Sequence, residues 1–561
     1  MKASETSIRN LLEGTKQFQV PLFQRPYSWK KNNWDTLWDD LMSIYDGDVE
    51  GSYFLGPIVT QSISATADGI SSFLIIDGQQ RLTTLSILLA SLRDKLKDAN
   101  SRFSEQLHEY FLINKFQDND DYFKVLPTQA DRNSYKAIIH LEINSDEANG
   151  KITEAYQYFI KKLDKEKADF CEKIKNIILE KLIVVNITSG KDDNPYLIFE
   201  SLNNKGEELT QADLVRNYIF MKLPVETPEK ERQYNRLWLP LENRFKEQAG
   251  EKYSGELTNA FWFYLRKDGK SVSKNNIYQS LKKKIDNSSY GLQEELESLV
   301  KFSHYYECLN FPETEESNSL LKNYFNSLKK LDFTTSHIFL LNVYHNYQNS
   351  EISKDEFEKI LIYLESYFVR RLFSGVSTRV LGGIFNNLYK DIQKENNGNI
   401  VQRLYKILNR FENQKRWPTD EEFRKGVFKH SIYSPKTAER TQFILEKLEK
   451  SQGKETVDIS KLTVEHIMPQ TLSAKWKKTL GEQNARNYKT WLHTLGNLTL
   501  TAYNSELSNK PYSDKRECLK DSNLYLNRYF RDINDWNFDE IKERGKHLAD
   551  IAIKVWPRSP F

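Results

Sequence analysis

From about residue 225 to 450, apolar residues recur almost wholly at three- and four-residue spacing, as in Leu320 to Leu331 and Phe357 to Phe368. Short strand-like runs gather before and after that stretch. The first kind of pattern buries one stripe of a helix and the second one face of a strand, so one sheet or one bundle cannot satisfy both. At 561 residues the chain also exceeds the size at which a single hydrophobic core stops growing. The expected class is multidomain α+β, divided at 1–225, 226–450 and 451–561, with the RWPTD segment at 416–420 as a loop in the helical middle. No fixed-period repeat is evident.

Aromatic residues make up 13% and charged residues 28%, which supplies core material and argues against extended disorder. The formal net charge is only +3, so contact with nucleic acid must come from local patches. Cys171, Cys308 and Cys518 lie far apart and form no CxxC pair, which suits reduced thiols. The opening MKASETSIRNLLEG has no signal-type apolar run, and no stretch of about 18 apolar residues occurs. The expectation is a soluble, cytoplasmic chain without membrane contact.

In the first part, Gln17 to Leu22, Phe54 to Val59, Phe73 to Ile76 and Leu182 to Ile187 read as strands, and Ile8 to Leu12 as a short apolar turn. Trp34, Leu37, Trp38 and Leu41 mark one helix face, and Leu82 to Leu92 another helix directly after the turn Asp77-Gly78. Residues 100 to 180 look largely helical. A further helix is expected after Thr210, with Asp213 completing an approximate capping box. In the last part, Leu462 to Ile467 and Leu495 to Leu500 read as strands, followed by a polar helical tail carrying Trp536, Phe538 and Trp556.

Two segments carry chemistry. Within VEHIMPQ (464–470), the neutral imidazole of His466 can take a proton from water near neutral pH, and Glu465 offers a hard oxygen to Mg²⁺ or a similar ion. Within LGNLTLTAYNSELSNKPYSDK (495–515), Asn497 can fix an imidazole and Asn504 can give the ion a second oxygen. A hairpin is needed to join them. Adjacent residues of an extended strand point to opposite faces, so Glu465 and His466 serve one site only if the strand ends or twists there.

These paired motifs resemble the HNH, or His-Me finger (ββα-metal), nuclease domain of GmrSD-like type IV, modification-dependent restriction endonucleases. The resemblance implies His466 as general base, Asn497 as its orienter, and Glu465 and Asn504 as ligands of Mg²⁺ or Mn²⁺. It puts Asn509 and Lys515 at positions for loop bracing or DNA phosphate contact, with Lys510 beside them, and matches no position to His493.

The second segment is FLIIDGQQRLTTL. A strand passing through a glycine turn into a helix presents unpaired amides suited to a phosphate, and Arg81 adds a charged fork. FQVPLFQRPYSW (18–29), YFLGPIV (53–59), IDGQQRLTTL (76–85) and FESLNNKGEELTQADLVRNYIF (199–220) together resemble the DUF262 domain, similar to ParB and sulfiredoxin-like α/β folds. That likeness implies nucleotide binding, with NTP hydrolysis and an unspecified base, at Asp77, Gly78, Gln79, Gln80 and Arg81. Gln24, Arg25, Tyr27, Trp29, Asn203, Lys205 and Asp213 are further pocket candidates. No Walker-type run is present, so this chemistry is not of the P-loop kind.

The combined expectation is an NTP-regulated, metal-dependent endonuclease that cuts modified double-stranded DNA, such as phage DNA, in antiviral restriction. Two strand breaks would suit a homodimer or sequential nicks. Competing readings are a nucleotide-binding sensor or regulator of DNA with weak or no nuclease activity, and a nuclease acting on RNA. Arg370 and Arg371, Lys477 and Lys478, and Lys510, Lys515 and Arg516 are the local cations that could neutralise phosphates.

Overall fold

A computed structural model describes residues 2–64, 69–97, 100–142, 150–189, 209–223, 227–288, 291–453 and 461–559. Backbone contacts divide the chain into two compact units. The first comprises Met1–Thr258 with Asn275–Glu297, and the second Asn259–Lys274 with Ser298–Phe561. The first is α/β; the second is mostly helical around one small ββα region.

The first unit is built on a six-stranded mixed sheet in the order β1-β6-β3-β4-β2-β5. Its strands are β1 (Lys2–Ser7), β2 (Lys16–Gln19), β3 (Tyr53–Ser64), β4 (Ser71–Asp77), β5 (Val125–Leu126) and β6 (Leu182–Ser189). β3 runs parallel to β6 and antiparallel to β4, while β2 runs parallel to β4 and to β5. Helix α1 (Lys31–Tyr45) buries Trp34, Leu37, Trp38 and Leu41 as the spacing predicts. Helix α2 (Gln79–Leu96) is buried continuously from Leu82 to Arg93. A helix apolar on all sides belongs in a core, and its small hydroxyls are satisfied locally: Thr84 donates to Gln80 O at 2.7 Å and Ser91 to Ile87 O at 3.0 Å. Helix α3 (Gln211–Lys222) starts at the expected capping box, Thr210 and Asp213.

Two local readings change. Ile8–Leu12 is one short helix rather than a turn, and the polar stretch before it is strand β1, which lies at the sheet edge against β6. An edge strand has one neighbour and needs little apolar alternation, so KASETS gave no strand signal.

In the second unit, α4 (Lys354–Phe373) carries Arg370 and Arg371, both almost fully buried. They do not reach outward to phosphates. Arg370 donates to Trp556 O (2.7 Å) and Pro418 O (3.2 Å) and pairs with Asp420 at 2.7 Å. Arg371 donates to Gln414 O, Arg416 O and Ser377 O. Planar forks that fill several backbone acceptors are a structural use of arginine, and here they hold the RWPTD loop.

Strands β7 (Thr463–His466) and β8 (Leu498–Thr501) pair antiparallel, with Glu465 opposite Thr499 and His466 opposite Leu498. Around them lie α5 (Ala474–Leu480), α6 (Asn504–Leu507), α7 (Tyr512–Lys520) and α8 (Phe538–Val555). Their core contains Ile467, Met468, Trp476, Leu507, Phe530 and Trp536. Gly496 is required by close approach: a Cβ there would overlap the Ile541 carbonyl oxygen of α8. The fully buried Arg544 of α8 donates to Gly496 O (2.9 Å) and Leu498 O (2.6 Å), fixing that contact. Gly496→Ala is therefore expected to destabilise the second unit by roughly 1–3 kcal/mol, the cost of overpacking a filled core; its thermal unfolding midpoint, against that of a surface alanine control, checks this.

Candidate functional site at the β7–β8 hairpin

The hairpin brings the two C-terminal motifs together. β7 ends at His466, and the backbone then turns under control of Asn497. The Asn497 side chain is fully buried. Its oxygen accepts from Met468 N–H at 2.8 Å and from Trp536 Nε1–H at 3.1 Å, and its nitrogen donates to Met468 O at 3.0 Å and Leu492 O at 2.9 Å. Asn497 was expected to hold the His466 ring. It holds the backbone just beyond His466 instead, and all four of its hydrogen-bonding positions are used there.

The ring of His466 meets a residue to which the sequence assigned no role. His466 Nε2 and His493 Nδ1 are 3.0 Å apart, with ring centroids at 5.1 Å. Tyr433 approaches His466 edge-on at 4.7 Å and stacks on His493 at 5.6 Å. His493 is placed by its backbone, whose carbonyl accepts from Ile432 N–H at 2.9 Å, and by the bridge between Ser431 and Thr494. Two half-buried rings thus cover a buried one. Nothing in the local text around His493 marks it, because its partners lie 27 and 60 positions away.

Glu465 is also buried and faces a different neighbour. Lys515 Nζ lies 2.5 Å from its carboxylate and donates to His466 O at 2.7 Å. Lys515 was expected at a DNA phosphate; it lies wholly in the interior. Asn504 begins α6 and donates from its nitrogen to Thr463 Oγ1 (3.2 Å) and Val464 O (3.1 Å). That anchors the amide on β7 and leaves its oxygen as the atom a hard cation would take. A carboxylate and an amide oxygen tied to one short strand fit the donor chemistry of Mg²⁺ or Mn²⁺. Asn509 and Lys510 are exposed just beyond α6. Trp476 Nε1 donates to Lys510 O at 3.0 Å, which ties α5 to this segment, and Lys477 and Lys478 of α5 are exposed. Arg516 is turned to Arg531 O at 2.7 Å.

Burial sets the protonation. Loss of water drives His466 down to about 3, with His493 and Lys515 adding to the effect, and burial also lowers His493. Burial pushes the Glu465 carboxyl up, and the Lys515 ammonium partly opposes it. Both imidazoles are therefore neutral in neutral solution.

In the first unit the expected pocket residues do converge, and most are occupied in bracing. Gln24 donates to Ile75 O (2.8 Å) and Ile76 O (3.1 Å) at the end of β4. Gln80 accepts from Ser28 N–H (2.8 Å) and donates to Pro26 O (3.3 Å). Tyr27 contacts Thr84 at 2.7 Å and accepts from Trp34 Nε1–H at 2.8 Å. Trp29 packs on the core, and Arg25 is half-buried in the same segment. Gly78 sits at φ +92° between β4 and α2, with Gln79 opening the helix. Arg81 pairs with Asp77 at 3.3 Å and donates to Leu55 O at 3.1 Å. A side chain at Gly56 would overlap that guanidinium. Asp213 is consumed by its cap and by Arg216 at 2.8 Å. Asn203 and Lys205 lie outside the described residues.

The GmrSD restriction endonuclease N-terminal domain matches residues 8–220, and the C-terminal domain of the GmrSD restriction endonucleases matches residues 417–551. The chain belongs to the GmrSD restriction endonuclease family. Both clusters lie inside these matches, which together cover more than half of the chain. No curated protein matches it. Membership of the GmrSD family makes this an enzyme, a metal-dependent nuclease, and accords with NTP-regulated restriction of modified phage DNA. A second metal-compatible donor group lies away from the hairpin motifs in sequence: His304, Glu307 and Glu315 have ligand atoms within 4.8 Å of one another. His304 is already paired with Glu307 at 3.2 Å. Among the described residues no helix is long and apolar enough to cross a membrane.

The depressed proton affinity of His466 has a consequence for stability. Its folded value lies below the ordinary unfolded value of about 6.5, so its contribution is complete above that pH and is lost as the pH falls from about 6.5 toward 3. The unfolding free energy is expected to drop over that window, by up to about 1.4 kcal/mol per pH unit for one withheld proton, and the unfolding midpoint falls with it. His466→Phe should flatten the drop in calorimetric scans; an unchanged slope would contradict the assignment.

Proposed function

We propose that the hairpin and following helices form an HNH (His-Me finger) centre that hydrolyses phosphodiesters in modified foreign double-stranded DNA. The first unit would be a ParB/sulfiredoxin-like domain that regulates cutting through an NTP. In this reading 1–225 binds nucleotide, 226–450 links, and 451–561 cuts, in the cytoplasm. The observation that carries it is the attachment of Asn504 to the strand that presents Glu465 and His466.

His466, neutral by burial, takes the proton of the attacking water. Glu465 and Asn504 would hold a Mg²⁺ or Mn²⁺ ion, which when bound neutralises charge on the phosphate and the departing 3′ oxygen. Lys515 shields the buried carboxylate until then, because a lone buried charge is costly. Tyr433 and His493 pack against the ring, so the scissile phosphate would approach His466 from the side these two leave uncovered. Asn509, Lys510, Lys477 and Lys478 are exposed where they can neutralise backbone phosphates. The Asp77–Arg81 pair and the turn at Gly78 are the part of the N-terminal cluster that faces a nucleotide; Gln24, Gln80 and Asp213 frame it. A homodimer would supply one centre to each strand.

Modified and unmodified phage DNA and RNA, each incubated with Mg²⁺ or Mn²⁺ and with or without each NTP, test the reading. Metal-dependent cleavage of modified DNA is expected. His466→Ala should lose about 100-fold or more of the rate, the ordinary contribution of a general base, with DNA binding retained. Cleavage by that variant at the wild-type rate would overturn the mechanism, and preferential digestion of RNA would overturn the substrate. Arg81→Ala should weaken NTP binding in a filter assay while leaving the hairpin intact; if wild type binds no NTP, the regulatory half fails alone.

A further inference from the structure

The His466–His493 contact carries more than coverage. Nε2 of His466 and Nδ1 of His493, 3.0 Å apart, share a hydrogen bond only if one nitrogen carries the proton and the other offers its lone pair. If His493 donated, His466 would carry its own proton on Nδ1 and present a donor to the attacking water. If His493 accepts, His466 carries its proton on Nε2, and Nδ1 offers a lone pair. His466 Nδ1 has no hydrogen-bond partner among the described residues. It is the nitrogen that the pair leaves to a water molecule.

We propose that His493 is a positioning residue, which accepts a hydrogen bond from His466 Nε2–H at its own Nδ1 and thereby makes His466 Nδ1 the basic nitrogen. This rests on the reading of His466 as general base. The usual means of fixing a catalytic imidazole is a carboxylate or carbonyl behind it; here Asn497, in the position expected to do so, is spent on Met468, Leu492 and Trp536. His493 takes over that task. It is suited to it because its backbone is pinned to Ile432 and its ring is stacked on Tyr433. In turn the donor borne by His493 is on Nε2, so the proton inventory of the pair is two N–H groups, one between the rings and one directed away.

Two measurements separate this inference from the nuclease reading. In perdeuterated protein labelled with ¹⁵N-histidine and free of DNA and metal, the ¹⁵N shifts are expected to show His466 protonated on Nε2 and His493 unprotonated on Nδ1, assigned through His466→Phe and His493→Asn spectra. Nδ1-protonated His466 overturns the proposal whether or not the protein cuts DNA. In cleavage assays with Mn²⁺, His493→Asn places an amide oxygen near the position of Nδ1 and should keep kcat within a few fold. His493→Leu, which has no acceptor, should lower kcat by about 10- to 100-fold with KM little changed. Equal loss in both variants, or a loss expressed in KM alone, assigns His493 to packing or DNA contact and overturns the proposal. If His493→Leu fails to fold, the wild-type tautomer and His493→Asn decide. If His466→Ala cuts normally while the tautomer is as expected, the nuclease reading fails and the hydrogen-bond assignment stands.

Discussion

The carboxamide of Asn497 is the joint on which the second unit's site depends. It lies in the interior and makes two donated and two accepted hydrogen bonds, to both backbone groups of Met468, to Leu492 O and to Trp536. Each of those partners would otherwise be a buried polar group without water. Three segments therefore meet at one side chain: the turn after β7 at Met468, the approach to β8 at Leu492 and the C-terminal region at Trp536. Aspartate there would offer no donor, and an aliphatic residue would leave all four orphaned. The position of His466 follows, because it is the residue immediately before the turn that Asn497 fixes.

The pair of Lys515 and Glu465 adds a second kind of constraint. Side chains of adjacent strand residues diverge, and the structure keeps that divergence: Glu465 goes to Lys515, His466 to His493. In the proposed reading, a cation at Glu465 and a base at His466 lie on opposite faces of β7, while Asn504 is anchored on the first half of that strand, at Thr463 and Val464.

Much of this was legible in the residue text because it is local. The strands predicted at Phe73 to Ile76, Leu182 to Ile187 and Leu462 to Ile467 were found within a few residues of their expected limits, since short apolar runs and their bounding turns are written in neighbouring positions. The α3 capping box was likewise contained in four residues. What could not be read was the choice of tertiary partner. Arg370, Arg371 and Lys515 have the composition of surface cations and are interior because distant carbonyls and a distant carboxylate receive them. Gln24 and Gln80 look like ligand amides, and their distant partners tie the FQRPYSW segment to the end of β4 and to the start of α2, respectively. His493 was silent for the same reason, and β1 escaped because an edge strand can be polar.

The near contact between Gly496 and the backbone of α8 defines the smallest piece of the chain that can keep this hairpin folded. A graft that stopped at Lys515 would contain every motif residue and yet lack the wall formed by Ile541, Arg544 and Trp536, against which the turn before β8 is moulded. Anyone transplanting this hairpin into another scaffold must carry the tail with it, because the portable piece is set by backbone proximity and not by where the recognisable letters end.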